Sequence, residues 1–176
     1  MDRFVKTGRL VSLRLITEED FPLVVKWRNT DRIRYNHVYR GDFTTEGMKK
    51  WKETMLDTGR VVQFILCENG IDNRPIGCGH LRDIDRESLS AEYGIFIGEE
   101  DALGRGYGNE AAVLISEYAR DGLGLKKLIL RAFARNTIAI KSYEYGGFVK
   151  TGDLPQVECS DGQKDDMILM EKRLQD

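Results

Sequence analysis

The feature that most constrains the fold is a strand, a glycine-rich turn and a helix start in immediate succession. The strand is Glu92-Tyr93-Gly94-Ile95-Phe96-Ile97. After a short loop comes Leu103-Gly104-Arg105-Gly106-Tyr107-Gly108, and then an apolar-striped run. A turn of this kind leaves several backbone N–H groups unpaired at a helix N-terminus, where they can hold a phosphate. Gly104, Gly106 and Gly108 let the main chain approach an anion closely, and Arg105 adds a fixed positive charge. The dinucleotide fingerprint needs G-x-G-x-x-G, and this chain has G-x-G-x-G. A P-loop needs Gly-Lys-Ser/Thr, and here Gly108-Asn109-Glu110 follows. A purely structural turn stays open on these residues alone.

The chain of 176 residues is long enough for one real core, and it reads as one domain over residues 1–176. A net charge of −2 gives no global pull toward nucleic acid or an anionic membrane, so neither is expected as a partner. Cys67, Cys78 and Cys159 show no metal-ligand or disulfide spacing. The N-terminal MDRFVKTGRL lacks the apolar stretch of a signal peptide, and no run approaches the roughly 20 apolar residues of a membrane span. A reducing cytoplasm is therefore the expected setting.

Apolar and polar residues alternate from Leu10 to Leu15, which predicts a strand. Thr17-Glu18-Glu19-Asp20 predicts a helix start, and Pro22 fits only a first turn, so this helix spans about 18–29. A second helix opens at Thr44 or Thr45, with Met48, Trp51 and Met55 on one face. Strands 61–68, 76–81 and 92–97 predict an antiparallel meander. A helix over 108–120 leads to strand 128–133, which a right-handed crossover places parallel to 92–97. A short helix over 137–145 stops at Gly146-Gly147, and 148–158 with 167–174 form a closing hairpin. The expected order is β-α-α-β-β-β-α-β-α-β-β: an α/β (α+β) fold with a mixed, mostly antiparallel sheet flanked by helices.

Two segments of this chain together resemble the GCN5-related N-acetyltransferase superfamily. The family's acyl-CoA loop, Gln/Arg-x-x-Gly-x-Gly/Ala, is similar to Leu103–Gly108, with Leu103 in place of the polar first residue. Its later Asn-x-x-Ala-x-x-x-Tyr and Gly-Phe are matched by Asn136, Ala139, Tyr143, Gly147 and Phe148. The resemblance implies transfer of an acetyl group from acetyl-CoA to a primary amine, by direct attack in a ternary complex and without a metal. It implies that pyrophosphate sits on the amides of Arg105, Gly106, Tyr107 and Gly108, beside Leu103 and Gly104. The pantetheine arm then pairs with the backbone of Ile95, Phe96 and Ile97, where the parallel strands splay apart. Asn136 is expected to cap the short helix and to touch that arm.

A protonated amine has no lone pair, so the reaction needs a proton acceptor. Glu92 lies eleven residues before the loop's first position, an offset that matches the family's catalytic glutamate, and it is the candidate base, acting directly or through water. Tyr143 matches the family's proton donor to the leaving sulfur. The two side chains are expected to flank the thioester carbonyl from one side of the sheet. His37 and His80 fit no metal spacing, and His80 reads as a packed strand residue.

For the acceptor, residues 26–40 hold five cations (Lys26, Arg28, Arg32, Arg34, Arg40), one anion (Asp31), and the rings of Trp27, Tyr35 and Tyr39. Cations with rings favour an acceptor carrying phosphate and a base, and they repel a polyamine. Trp27, Arg28 and Tyr35 are the candidate acceptor-binding residues. Trp27-Arg28-Asn29 and Asp83-Ile84-Asp85-Arg86 look like the branch acetylating nucleotide-linked amino sugars. Ribosomal-protein N-termini, a polyamine, or a non-catalytic CoA-binding role are the alternatives. An exposed sheet edge makes a homodimer plausible.

Overall fold

The computed structural model describes residues 4–175; the first three residues of the N-terminal stretch discussed above lie outside the described residues. One eight-stranded sheet organises the chain in the order β1-β2-β3-β4-β5-β6-β8-β7. The strands are β1 (Phe4–Thr7), β2 (Val11–Leu15), β3 (Val61–Glu68), β4 (Pro75–Asp85), β5 (Ser90–Ile97), β6 (Lys127–Phe133), β7 (Val149–Glu158) and β8 (Lys164–Arg173). Every neighbouring pair is antiparallel except β5 and β6. The expected meander is β3-β4-β5, and the crossover to β6 runs through helix α4 (Tyr107–Glu117), which continues as a wider π turn over Tyr118–Gly122.

Helices α1 (Phe21–Arg28), α2 (Asp31–Arg34) and α3 (Thr45–Trp51) cover one face of the sheet. Helices α4 and α5 (Thr137–Tyr145) cover the other. Each face has its own core. Phe21, Val24, Trp27, Ile33 and Met48 pack on Ile65, Cys67 and Cys78. On the opposite face Ala111, Ala112 and Ile115 pack on Leu13, Phe64, Leu66 and Leu81. Full burial of a side chain such as Phe64 or Ile115 contributes about 1.5–3 kcal/mol.

Two elements depart from the expected order. β1 adds an edge strand before the alternating segment, and α2 adds a single turn between the first two predicted helices. Both are four residues long, too short for a periodicity to register. The entry to α1 is fixed by Arg14, which makes two charge-assisted bonds to Asp20 (2.7 and 2.6 Å), while Asp20 also accepts from the Thr17 amide (2.8 Å). All three cysteines are buried, and none of them is in a disulfide.

Candidate active site

The glycine turn has the conformation its sequence demands. Gly104 and Gly106 lie at φ +71° and +82°, a region closed to most side chains, and Gly106 caps the start of α4. Among the described residues, no acceptor pairs with the amides of Gly104, Arg105, Gly106, Tyr107, Gly108 or Asn109; the Glu110 amide is the first to bond back, to Gly106. Six consecutive donors thus face outward at a helix N-terminus. Arg105 is more than half exposed beside them, and Leu103 is also exposed.

Residues that the motif does not include hold this loop. The Tyr107 hydroxyl donates to Glu68, and Arg74 bridges Glu68 and Asp101 (3.0 Å to each). One helical turn on, the Glu110 carboxylate accepts from the amides of Arg9, Leu10 and Val11 (3.0, 2.6 and 2.8 Å). The start of α4 is therefore pinned to the turn between β1 and β2. No sequence motif announces this, because the partners are about a hundred residues apart.

β5 and β6 pair only over Ser90↔Lys127, Ala91↔Leu128 and Glu92↔Ile129. From Tyr93 onward the β6 side of β5 is open. The Gly98 amide bonds to Ile76 on the β4 side (2.7 Å), so across that planar peptide the Ile97 carbonyl points into the gap. With a strand period of two, Ile95 also presents its N–H and C=O to the gap. Phe96 does not: its backbone faces β4 and its ring lies on the opposite face, among the α1–α3 residues. Of the three residues expected to meet a pantetheine arm, only Ile95 and Ile97 can offer main-chain groups. The Ile97 carbonyl already accepts from Arg32 Nη2 (3.0 Å), which marks the end of the free edge.

Tyr143 projects from α5 onto the α4 side, its ring 6.1 Å from Tyr93 and 6.1 Å from Phe148. Burial raises its hydroxyl to about 12, so it stays protonated at neutral pH. The neighbouring Tyr93 hydroxyl is buried with no partner among the described residues. The Asn136 side chain caps α5 by accepting from the Ala139 amide (3.3 Å).

Glu92 alternates with Tyr93 along β5, so its carboxylate emerges on the α1–α3 face. There it accepts from Arg82 Nη2 (2.6 Å) and from Arg131 Nη2 (3.2 Å). The expectation that Glu92 and Tyr143 share one side is corrected: they lie on opposite faces of the sheet, next to the point where β5 and β6 stop pairing. The guanidiniums engaging Glu92 come from the adjacent strands β4 and β6.

On the Glu92 side, a cavity of about 460 Å³ opens between α1, α3 and the sheet. Arg28, His37, Tyr39, Phe43, His80 and Arg82 mark its polar and aromatic wall, with Phe96, Trp51 and Met48 completing an apolar one. Burial, reinforced by the positive charge of Arg28 and Arg82, lowers both His37 and His80 to about 3, so both rings are neutral at pH 7. Burial also raises the Cys78 thiol to about 12.

Of the three candidate acceptor residues, only Arg28 lines this cavity. Trp27 is a core residue whose indole N–H donates to Glu99 (2.8 Å) and whose ring lies against Gly98. Tyr35 sits in a separate surface hollow under the Arg135 guanidinium, 3.6 Å from its ring centre. The basic loop is also less free than its composition suggests. Arg32 binds the carbonyls of Ile97 and Gly98, Arg34 pairs with Asp42, and Arg40 pairs with Asp161. Conversely, His37, His80 and Arg82 join the cavity although sequence reading gave them no acceptor role. The β4 alternation, which puts residues 78, 80 and 82 on one face, is the signal that links His80 to Arg82.

Among the described residues there is no cluster of His, Cys, Asp and Glu that could hold a metal, and no helix is long and apolar enough to cross a membrane. The family described as acetyltransferase (GNAT) domain matches residues 10–149. The SPbeta prophage-derived uncharacterized N-acetyltransferase YokL of Bacillus subtilis (strain 168) is 25% identical over 161 residues, covering 89% of this chain and 85% of that protein. The crystal structure of a Vibrio cholerae spermidine N-acetyltransferase, in complex with CoA and spermine, is similar at a TM-score of 0.87 and 20% identity, covering 95% of this chain and 97% of that one. A dodecameric structure of the Vibrio cholerae spermidine N-acetyltransferase gives a TM-score of 0.79 at 20% identity, with 95% of each chain covered. Amide loop, open strand edge, element order and family match converge: the chain belongs to the GNAT acetyltransferases, acyltransferases that use acetyl-CoA.

Proposed function

We propose that this protein moves the acetyl group of acetyl-CoA onto a primary amine that enters from the α1–α3 cavity, with transfer taking place in the gap between β5 and β6. The observation that carries this reading is the end of β5–β6 pairing at Glu92↔Ile129, beyond which one strand edge is free. The outward amides of residues 104–109 take the pyrophosphate. The N–H and C=O of Ile95 and the N–H of Ile97 pair with the pantetheine arm as an added strand does. Tyr143, protonated and on the far side of the gap, gives its proton to the leaving thiolate.

On the near side, Glu92 receives the amine's proton. Its Oε1 is engaged by Arg82 and Arg131, whereas Oε2 accepts only from Arg131 (3.3 Å), so Oε2, directly or through water, is the open acceptor. The Arg82 guanidinium assists, because a positive neighbour disfavours an ammonium and holds the nucleophile as the free amine.

For the acceptor, relatives of known structure that act on spermidine support the polyamine alternative better than the nucleotide-linked sugar read from the sequence. The amino-sugar reading also loses support because Arg32, Arg34 and Arg40 are engaged within the fold. A polyamine would need carboxylates in the cavity. Asp42 is the acid on its wall and Glu92 lies beside Arg82, and both are already paired. The dodecameric relative supports an assembly of like chains.

The test is an acetyl-transfer screen that follows free thiol release and includes spermidine, an amino sugar with and without phosphate, and an Ala- or Ser-starting peptide. Amine-dependent thiol release, abolished in Tyr143→Phe, supports the reading. Acetyl-CoA binding with no release on any amine would favour a non-catalytic CoA-binding protein.

A further inference from the structure

Arg28 is the last residue of α1, and it is about nine-tenths buried in the cavity wall. Its guanidinium lies over the Phe43 ring, 4.4 Å from the centre. No carboxylate among the described residues pairs with it, and burial lowers its guanidinium to about 10. Among the described residues, the acid on the cavity wall is Asp42, whose exposed side chain is turned to Arg34 (2.9 Å). The second cavity cation, Arg82, already has Glu92 at 2.6 Å. Among the described residues, the Arg28 charge on the cavity wall therefore has no carboxylate paired with it. Burying a guanidinium without a counter-ion is costly, whereas a bidentate anion on it is among the strongest polar contacts available.

We infer that Arg28 receives an anionic group of the acceptor, so that the substrate is a primary amine carrying a carboxylate or a phosphate, with its amine at the β5–β6 gap and its anion at the end of α1. This rests on the reading of the cavity as the acceptor site. The neutral His37 and His80 and the rings of Tyr39, Phe43 and Phe96 bound the space between the two ends. They fit an uncharged middle section. A polyamine would place a second or third ammonium against Arg28.

The experiment is calorimetric binding to the protein saturated with CoA, so that the amide loop is filled and no turnover is needed. The probes are matched twins: an aminohexose phosphate against the free aminohexose, a diamino acid against its methyl ester, and spermidine. The expected result is a charged twin binding about 10- to 100-fold more tightly than its neutral partner in at least one pair. Arg28→Met removes that preference, and Arg28→Lys keeps part of it. The melting temperature of Arg28→Met without ligand is expected to equal or exceed that of the wild type, which a merely structural arginine would not give. The two pairs distinguish a carboxylate from a phosphate. No preference for a charged twin in the wild type, or tighter binding of spermidine, overturns the inference while leaving acetyl transfer itself intact. The same preference in wild type and Arg28→Met overturns it too.

Discussion

On the α4 side of the sheet, the site is built from main-chain donors of residues 104–109, the open edge at Ile95 and Ile97, and one phenol, Tyr143. On the α1–α3 side it is built from side chains: Arg28, His37, His80, Arg82 and three rings. The first surface suits a group of fixed shape, a diphosphate with an amide-bearing arm, and it demands backbone geometry. The second offers particular charges and rings to whatever enters the cavity. In the proposed reaction the gap beyond Glu92 joins them, with Tyr143 as proton donor and Glu92 as proton acceptor on opposite faces.

The largest expected effect separates the phenol from the amides. Tyr143→Phe is expected to lower kcat by about 10²- to 10⁴-fold while leaving acetyl-CoA affinity within about twofold, as read by steady-state kinetics and calorimetry. On the other face, Glu92→Gln is expected to cost about a hundredfold in kcat/KM, as read by steady-state kinetics. An unchanged kcat/KM would assign Glu92 to holding Arg82 and Arg131 alone. Glu110→Ala strips three backbone amides of their acceptor and is expected to lose about 1–3 kcal/mol of stability in denaturant unfolding. Gly106→Ala forces an alanine to φ +82°, a strain of about 1–2 kcal/mol, and should weaken acetyl-CoA binding without changing acceptor binding.

The smallest effect concerns pH. His37 and His80 have folded values below the ordinary 6.5, so the unfolded chain takes up protons first on acidification. This contribution is full well above the ordinary 6.5 and is lost progressively as pH falls toward 3. For Asp20, burial pushes the carboxyl up, but the bonds from Arg14 and Thr17 outweigh it and leave it lowered. Its contribution is present above the ordinary 3.8 and is lost below that value. Melting curves from pH 8 to 4, with His80→Asn as the control, check the first part.

The contrast between the faces also explains what the sequence made legible. Gly104, Gly106, Asn136 and Tyr143 declare themselves because a left-handed turn, a helix cap and a motif tyrosine are local, and the strands flanking them follow a period of two. The cavity is assembled from α1, the loop before α3, β3 and β4, and nothing local ties Arg28 to His80. The cluster of cations at 26–40 is divided for the same reason: Arg28 lines the cavity, while Arg32, Arg34 and Arg40 are engaged within the fold. Whether Arg32 meets a carbonyl or a ligand depends on β5, some sixty residues away. Phe96 was read as a cofactor residue because a strand's edge and its face cannot be separated until its neighbours are known. The latch of Glu110 on residues 9–11 and the clamp of Tyr107 by Glu68 were invisible for want of any sequence proximity.

The most direct test is a crystal structure of this protein with CoA, read for the position of the sulfur. The sulfur is expected in the gap between β5 and β6, within hydrogen-bonding distance of the Tyr143 hydroxyl and open to the Arg28 cavity from the other side. CoA lying outside that gap, or a sulfur with a wall of protein between it and the cavity, would contradict the account.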